Sequence, residues 1–340
     1  MTGRPPLTTL YLASWRASKG VGDFMLDNAP PAARVTPAAT MSEMLKEGSV
    51  FGDYRIEGLI DHSASAQVYA ARHIQKDTRV ALKIPSRNLV SRPALAQRFL
   101  HEGRAAARVR HSNVIEIFDV GTADKIPYVA MQLLVGESLV QRFARGPVPV
   151  EELLTIMLPI LAAVATAHEQ GVIHRDLGPQ DIFLHRTPQG EIHPVVLNFG
   201  MSKLIGEASL PPPEFRSSDG IKIELPFYLA PEQVHGGRDV RGATDQYSLA
   251  VILYEGATGR RPFEGTSLVD LVDKIVTGKY QPAIAVYPAV PTQLSRVIAR
   301  AMSMGVNERY TSLWAMGMAL LPLASARDRE RWHEVFARKP

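Results

Sequence analysis

The residues able to do chemistry gather in two short stretches of a 340-residue chain. "HRDLGPQD" (174–181) carries His174, Arg175 and two carboxylates, Asp176 and Asp181, while "VVLNFGMSK" (195–203) sets one amide, Asn198, in an apolar run. Carboxylate oxygens suit a hard cation such as magnesium, whereas an amide offers only a neutral carbonyl. Whether these carboxylates and this amide meet at one site therefore bears on whether the chain is an enzyme. Cysteine is absent. That excludes disulfides, thiolate metal sites and Cys nucleophiles, and it agrees with a reducing cytoplasm.

These residues need a scaffold, and 340 residues that are 46% hydrophobic can bury a substantial core. The formal charge of +4 comes with no dense Lys/Arg block, so the excess reads as solvated surface and no nucleic-acid partner is expected. The longest apolar run, "LLTIMLPILAAVATA" (153–167), contains Pro159 and falls short of the roughly 20 residues that cross a bilayer. It reads as a buried core helix. Trp15 and Arg16 interrupt any signal-like apolar stretch near the start. The expected location is cytoplasmic, without a membrane partner.

Residues 1–50, rich in Ala, Pro and Thr, read as a disordered extension, and Met1 and Met41 are alternative starts. From residue 51 the pattern becomes strand-like. "YRIEGLI" (54–60), "QVYAARH" (67–73) and "RVALKIP" (79–85) predict a three-stranded meander. A helix is expected over 93–110, with Leu95, Phe99, Glu102 and Ala106 on one face. Two strands, "VIEIFDVG" and "PYVAMQLL", should follow. Beyond Gly136, helices are predicted at 151–170, 243–257, 267–277, 291–303 and 311–324.

In this order the motifs resemble those of the eukaryotic-like (Hanks-type) protein Ser/Thr kinases of bacteria, over roughly residues 51–322. "VALK" supplies Lys83 and "RFLHEGRA" its expected helix partner, Glu102; "NFG" (198–200) stands for D-F-G and "APE" (230–232) for A-P-E. Asp245 and Arg309 match the two residues that anchor the large lobe. The resemblance implies an α+β bilobal fold, with a small β-rich lobe (51–134) carrying one major helix and a larger helical lobe (135–322). It also implies a nucleotide slot with Ile60 and Val68 as roof flanks, Ala81 in the roof, Met131 at the gatekeeper, Gln132 to Leu134 at the hinge and Phe183 on the floor. Lys83 and Glu102 would hold phosphates, or else form an ion pair that ties helix to sheet.

Several catalytic positions depart from the pattern. The glycine-rich loop reads "DHSASAQV" (61–68), with Asp61, Ser63 and Ala66 at the glycine positions, so side chains and a negative charge occupy the phosphate cradle. Asp176 stands at the proton-acceptor position, but the lysine two residues on is Gly178 and the threonine of the G-T-P-x-Y element is Leu225. The metal pair is exchanged, with Asp181 where the family has Asn and Asn198 where it has Asp. Ala106 shortens the inward-facing stack that includes His174 and Phe199.

The expectation is a pseudokinase: a scaffold or allosteric partner of an active kinase or other signalling protein. ATP binding would be weak or metal-independent, Mg2+ binding weak or absent, and Asp176 vestigial; His174, Arg175, Phe199 and Glu232 would be structural. The alternative is an atypical Ser/Thr kinase using the exchanged metal positions. Segment 203–224 reads as a docking element in which Arg216, Ser217 and Ser218 form a candidate phosphorylation site. The 323–340 tail carries Trp332, Val335 and Phe336 at helical spacing, to pack on the large lobe or meet a partner.

Overall fold

The computed structural model describes residues 45–63, 66–86, 90–199, 225–234 and 241–337. The readings of the N-terminal extension, Met41, Gly200 and segment 203–224 with Arg216, Ser217 and Ser218 lie outside the described residues.

The small lobe is a six-stranded antiparallel sheet of β1 (Val50–Phe51), β2 (Tyr54–His62), β3 (Ala66–His73), β4 (Arg79–Pro85), β5 (Ile117–Ala123) and β6 (Ile126–Gln132), in the order β1-β2-β3-β4-β6-β5. The period of two along β4 divides its side chains between faces. Val80, Leu82 and Ile84 join Phe51, Tyr54 and Tyr69 in one core. Ala81 and Lys83 face the other way, paired in register with Met131 and Val129 on β6 and with Ala70 and Val68 on β3. The roof and the lysine thus come from one strand face.

Helix α1 (Pro93–Ala106) packs across β5 and β6, burying Phe99, Leu100, Glu102 and Ala106. Its approach depends on Gly103, where a Cβ would stand 2.9 Å from Val129 Cγ2. The helix ends four residues before the predicted end, and the chain unwinds through i→i+3 bonds at Arg108 and Val109. Strand β5 begins three residues later than predicted because 114–115 pair elsewhere: Val114 bridges Val196 in parallel, and the Ile115 amide donates to the Val196 carbonyl at 2.9 Å.

In the large lobe, β7 (Gly136–Ser138), β8 (Ile182–Arg186) and β9 (Ile192–Val196) form a three-stranded sheet that the sequence reading did not anticipate. The helices are α2 (Leu139–Phe143), α3 (Val150–Glu169), α4 (Pro231–Val234), α5 (Gly242–Thr258), α6 (Leu268–Thr277), α7 (Ala283–Val286), α8 (Thr292–Ala301), α9 (Leu313–Leu320) and α10 (Ala326–Ala337). At 20 residues, α3 is longer than the apolar run that announced it, and 72% of its most apolar stretch is buried inside the protein. With α5 it forms the axis of the main core.

The C-terminal stripe packs on this lobe. Phe336 is fully buried against Trp314 and Gly317, Trp332 is buried beside it, and Asp328 accepts from Thr155 Oγ1 on α3 at 2.7 Å. Val335 stays exposed.

Candidate active site

The catalytic-loop sequence is held from below by α5. Asp245, fully buried, accepts the backbone N–H groups of His174 (2.8 Å) and Arg175 (2.7 Å) and a bond from His168 Nε2 at 2.7 Å. Burial opposes its charged form, but the His168 contact and the backbone donors prevail and hold its carboxyl below the ordinary value. Fixing two consecutive amides forces the turn, and Arg175 adopts the left-handed region at φ 72°. His168 and Gln233, whose amide donates to the Arg175 carbonyl at 2.6 Å, were not anticipated; each is joined to the loop by the fold and not by sequence proximity. Glu232 is clamped by both terminal nitrogens of Arg309 at 2.8 Å. Burial raises the Glu232 carboxyl, yet the Arg309 pair outweighs it and the net direction is downward.

His174 turns inward. Its Nε2 lies 3.0 Å from the Leu197 carbonyl and its ring meets Phe199 edge-on at 5.1 Å. Phe199 is buried in the main core, where a small cavity opens between it, Ala106, Val114 and Met131. The short side chain at 106 thus leaves space in the stack.

Above this stack lies a continuous polar chain. Lys83 Nζ donates to Asn198 Oδ1 at 2.9 Å, and Asn198 Nδ2 donates to Asp181 Oδ1 at 3.0 Å. Asp181 Oδ2 accepts from the Gly178 amide at 3.1 Å. The bond directions fix the Asn198 amide orientation, since only its oxygen can accept from an ammonium. Asn198 sits at φ 56°, a left-handed conformation that Asn and Asp tolerate better than other non-glycine residues. The exchanged pair is thus one carboxylate and one neutral amide, mutually hydrogen-bonded.

Lys83 and Glu102 do not form the expected pair. Lys83 is committed to Asn198, and Glu102 accepts from Arg98 Nε one turn back on α1 at 3.0 Å. This i,i+4 partner on the same helix engages one oxygen of the carboxylate without an approach to the sheet. Burial lowers the Lys83 ammonium pKa, and the nearby charges of Asp181, Asp61 and Glu102 partly oppose the shift. That Asp61 acts on Lys83 places the phosphate-loop carboxylate close to the site. Ser63 closes the tip, its Oγ accepting from the Ala66 amide at 3.1 Å.

Ala81 and Leu134 are buried, and Ile60, Val68, Met131, Gln132 and Phe183 are half-buried. Leu134 clusters with Ile115 and Val195, against which Met131 and Phe183 pack. Asp176 is exposed, Gly178 and Asp181 are buried, and Leu225 packs partly against the main core.

Sheet lobe, helical lobe, buried loop anchors and the converging Lys83, Asp181 and Asn198 define a protein-kinase domain. The protein kinase domain family model matches residues 54–320, and the chain belongs to that family. It is 34% identical to the Serine/threonine-protein kinase Pkn1 of Myxococcus xanthus over 79% of this chain and 38% of that protein. It is 30% identical to PknL of Mycobacterium tuberculosis over 80% of this chain and 65% of PknL. The chain thus spans between about a third and two thirds of the length of these curated relatives. The crystal structure of the Mycobacterium tuberculosis PknI kinase domain superposes with a TM-score of 0.64 at 26% identity, covering 82% of this chain and 98% of that one. These relatives place the chain among bacterial Hanks-type Ser/Thr kinases, a family that in general uses ATP and Mg2+.

Proposed function

We propose that this domain acts as a pseudokinase, a scaffold or allosteric partner of an active kinase or other signalling protein in the cytoplasm, built on residues 51–322 with an N-terminal extension and a packed C-terminal helix. The observation that carries this reading is the bridging of Lys83 and Asp181 by the Asn198 amide. Both Asp181 oxygens already accept hydrogen bonds, and its neighbour is neutral. That donor set does not fit a hard divalent cation, which prefers several anionic oxygens. Nucleotide binding, where it occurs, then rests on the apolar slot and Lys83 without dependence on Mg2+.

Magnitudes support the same reading. Each missing charge-assisted contact costs about 1.5–3 kcal/mol, so losses at 178, 198 and 225 slow transfer by roughly 10³–10⁶ if they add. The fully charged Lys83–Glu102 pair is a further absence from the ground-state arrangement.

A second reading, an atypical active kinase, is favoured by one observation: the exchanged side chains adjoin, so one carboxylate and one amide oxygen still serve a single locus. Thermal-shift titration with ATP, with and without Mg2+ or Mn2+, together with radiolabelled phosphate transfer, separates the two. Metal-independent stabilisation without label incorporation supports the pseudokinase. Metal-dependent stabilisation with incorporation abolished by Asp176→Ala establishes the kinase.

A further inference from the structure

Gly178 has no backbone reason to be glycine. Its φ of −139° and ψ of 175° are extended, a conformation open to any residue. What occupies its side-chain space is Gln180: a Cβ at 178 would stand 2.4 Å from both Gln180 Nε2 and Oε1. The exposed Gln180 side chain folds back over the Gly178 α-carbon, so its amide head lies where a side chain at 178 would emerge. In the resembling kinases that position carries the lysine that contacts the terminal phosphate. Glycine clears the space, and Gln180, at a position that the motif leaves open, fills it with a hydrogen-bond donor.

We infer that Gln180 is a phosphate-contacting residue of the nucleotide site, its amide N–H taking the place of the missing lysine and recognising the terminal phosphate of a nucleoside triphosphate. The assignment rests on the metal-independent nucleotide binding proposed above. An amide donor to an anionic oxygen is weaker than an ammonium and carries no charge, which suits holding a phosphate and not neutralising charge that develops during transfer. Glycine at 178 then leaves room for the Gln180 amide in this position.

The test uses the full chain in EDTA, measuring dissociation constants for ATP and adenosine by calorimetry for wild type, Gln180→Ala, Gln180→Lys, Gly178→Lys and Gly178→Lys/Gln180→Ala. Gln180 is exposed, so its replacements leave the fold intact, and adenosine affinity reports on that directly. Gln180→Ala is expected to weaken ATP about 3- to 10-fold, the range of one hydrogen bond, with adenosine unchanged, while Gln180→Lys tightens ATP. The lysine at 178 should improve ATP binding more when Gln180 is alanine than when it is glutamine, because the two heads compete for one space. Equal ATP affinity in wild type and Gln180→Ala overturns the assignment but leaves nucleotide binding standing. Adenosine binding without any added affinity for ATP in wild type overturns it as well, and absence of all nucleotide binding overturns both this inference and the nucleotide part of the proposed function.

Discussion

Asn198→Asp, read as a simple repair of the motif, would improve the site. The geometry predicts the reverse for the isolated protein. Asn198 Nδ2 donates to Asp181 Oδ1 at 3.0 Å, so the substitution replaces a donor by a second anionic oxygen at the same distance. Two unit charges 3 Å apart repel by about 1.4 kcal/mol in water and about 5.5 kcal/mol at an effective dielectric constant of 20. Losing the hydrogen bond to a charged acceptor adds about 1.5–3 kcal/mol. The Lys83 ammonium, which keeps an oxygen to donate to, and relaxation of the side chains offset part of this. A net loss of about 2–4 kcal/mol remains, which for a domain of this size lowers the melting temperature by roughly 4–8 °C. Millimolar Mg2+ or Mn2+ should restore much of it, because the new dicarboxylate suits a hard cation, whereas wild type should show little metal response. The double exchange Asp181→Asn/Asn198→Asp reverses donor and acceptor without adding charge, and it should melt within a few degrees of wild type in EDTA. Scanning calorimetry of the three proteins with and without metal checks all of this. If Asn198→Asp is as stable as wild type in EDTA, the Lys83–Asn198–Asp181 chain does not hold the site together and the reasoning fails.

Other consequences follow from contacts outside that chain. Arg309→Ala removes the bidentate partner of half-buried Glu232 and should cost about 1.5–3 kcal/mol by denaturant unfolding, with Arg309→Lys recovering only part of it. Asp245 and Glu232 titrate below their ordinary values of 3.8 and 4.5, so each binds protons more readily in the unfolded chain. Their stabilisation is fully present above about pH 5 and is lost as pH falls through the lowered folded-state values; the melting temperature of Asp245→Asn should therefore vary less steeply than wild type below pH 5. Phe336→Ala removes a fully buried ring from the contact between α10 and α9 and should destabilise by about 3–5 kcal/mol, while Val335→Ala, at an exposed site, should change stability by less than about 1 kcal/mol. Equal effects of the two would show that the helix does not dock. Asn198→Asp alone should not confer efficient phosphate transfer, since Gly178, Leu225 and Asp61 remain; robust label incorporation by that single variant would contradict the account.

The fold was legible because the chain states it twice, in periodicity and in ordered motifs. The segments at 54–60, 67–73 and 79–85 are rich in Val, Ile, Tyr and Leu, and β2, β3 and β4 appear there with ends shifted by two residues or fewer. The β8–β9 hairpin was missed because it is two five-residue strands in which the Pro194 and His193 positions break the pattern. The segment 114–116 was misassigned because its β-branched residues fit a strand equally well on either lobe, and only the tertiary pairing with Val196 decides. At the site, the types and positions of Lys83, Asp176, Asp181 and Asn198 could be read directly. Their partners could not. Lys83 and Glu102 were expected together, yet each finds a nearer donor or acceptor: Asn198 across the cleft and Arg98 one turn back. The hold of His168 on Asp245 and the fold of Gln180 over Gly178 are relations of space, with no signature in spacing alone.

The most direct measurement is single-turnover phosphate transfer by the purified wild-type chain with ATP and Mg2+ or Mn2+, run beside Asp176→Ala to expose contaminating activity. A polar chain that satisfies itself without metal predicts transfer at least about 10³-fold below the 1–100 per second of ordinary kinases, and the same residual signal in both proteins. Metal-dependent turnover within that ordinary range, present in wild type and lost in Asp176→Ala, would contradict it.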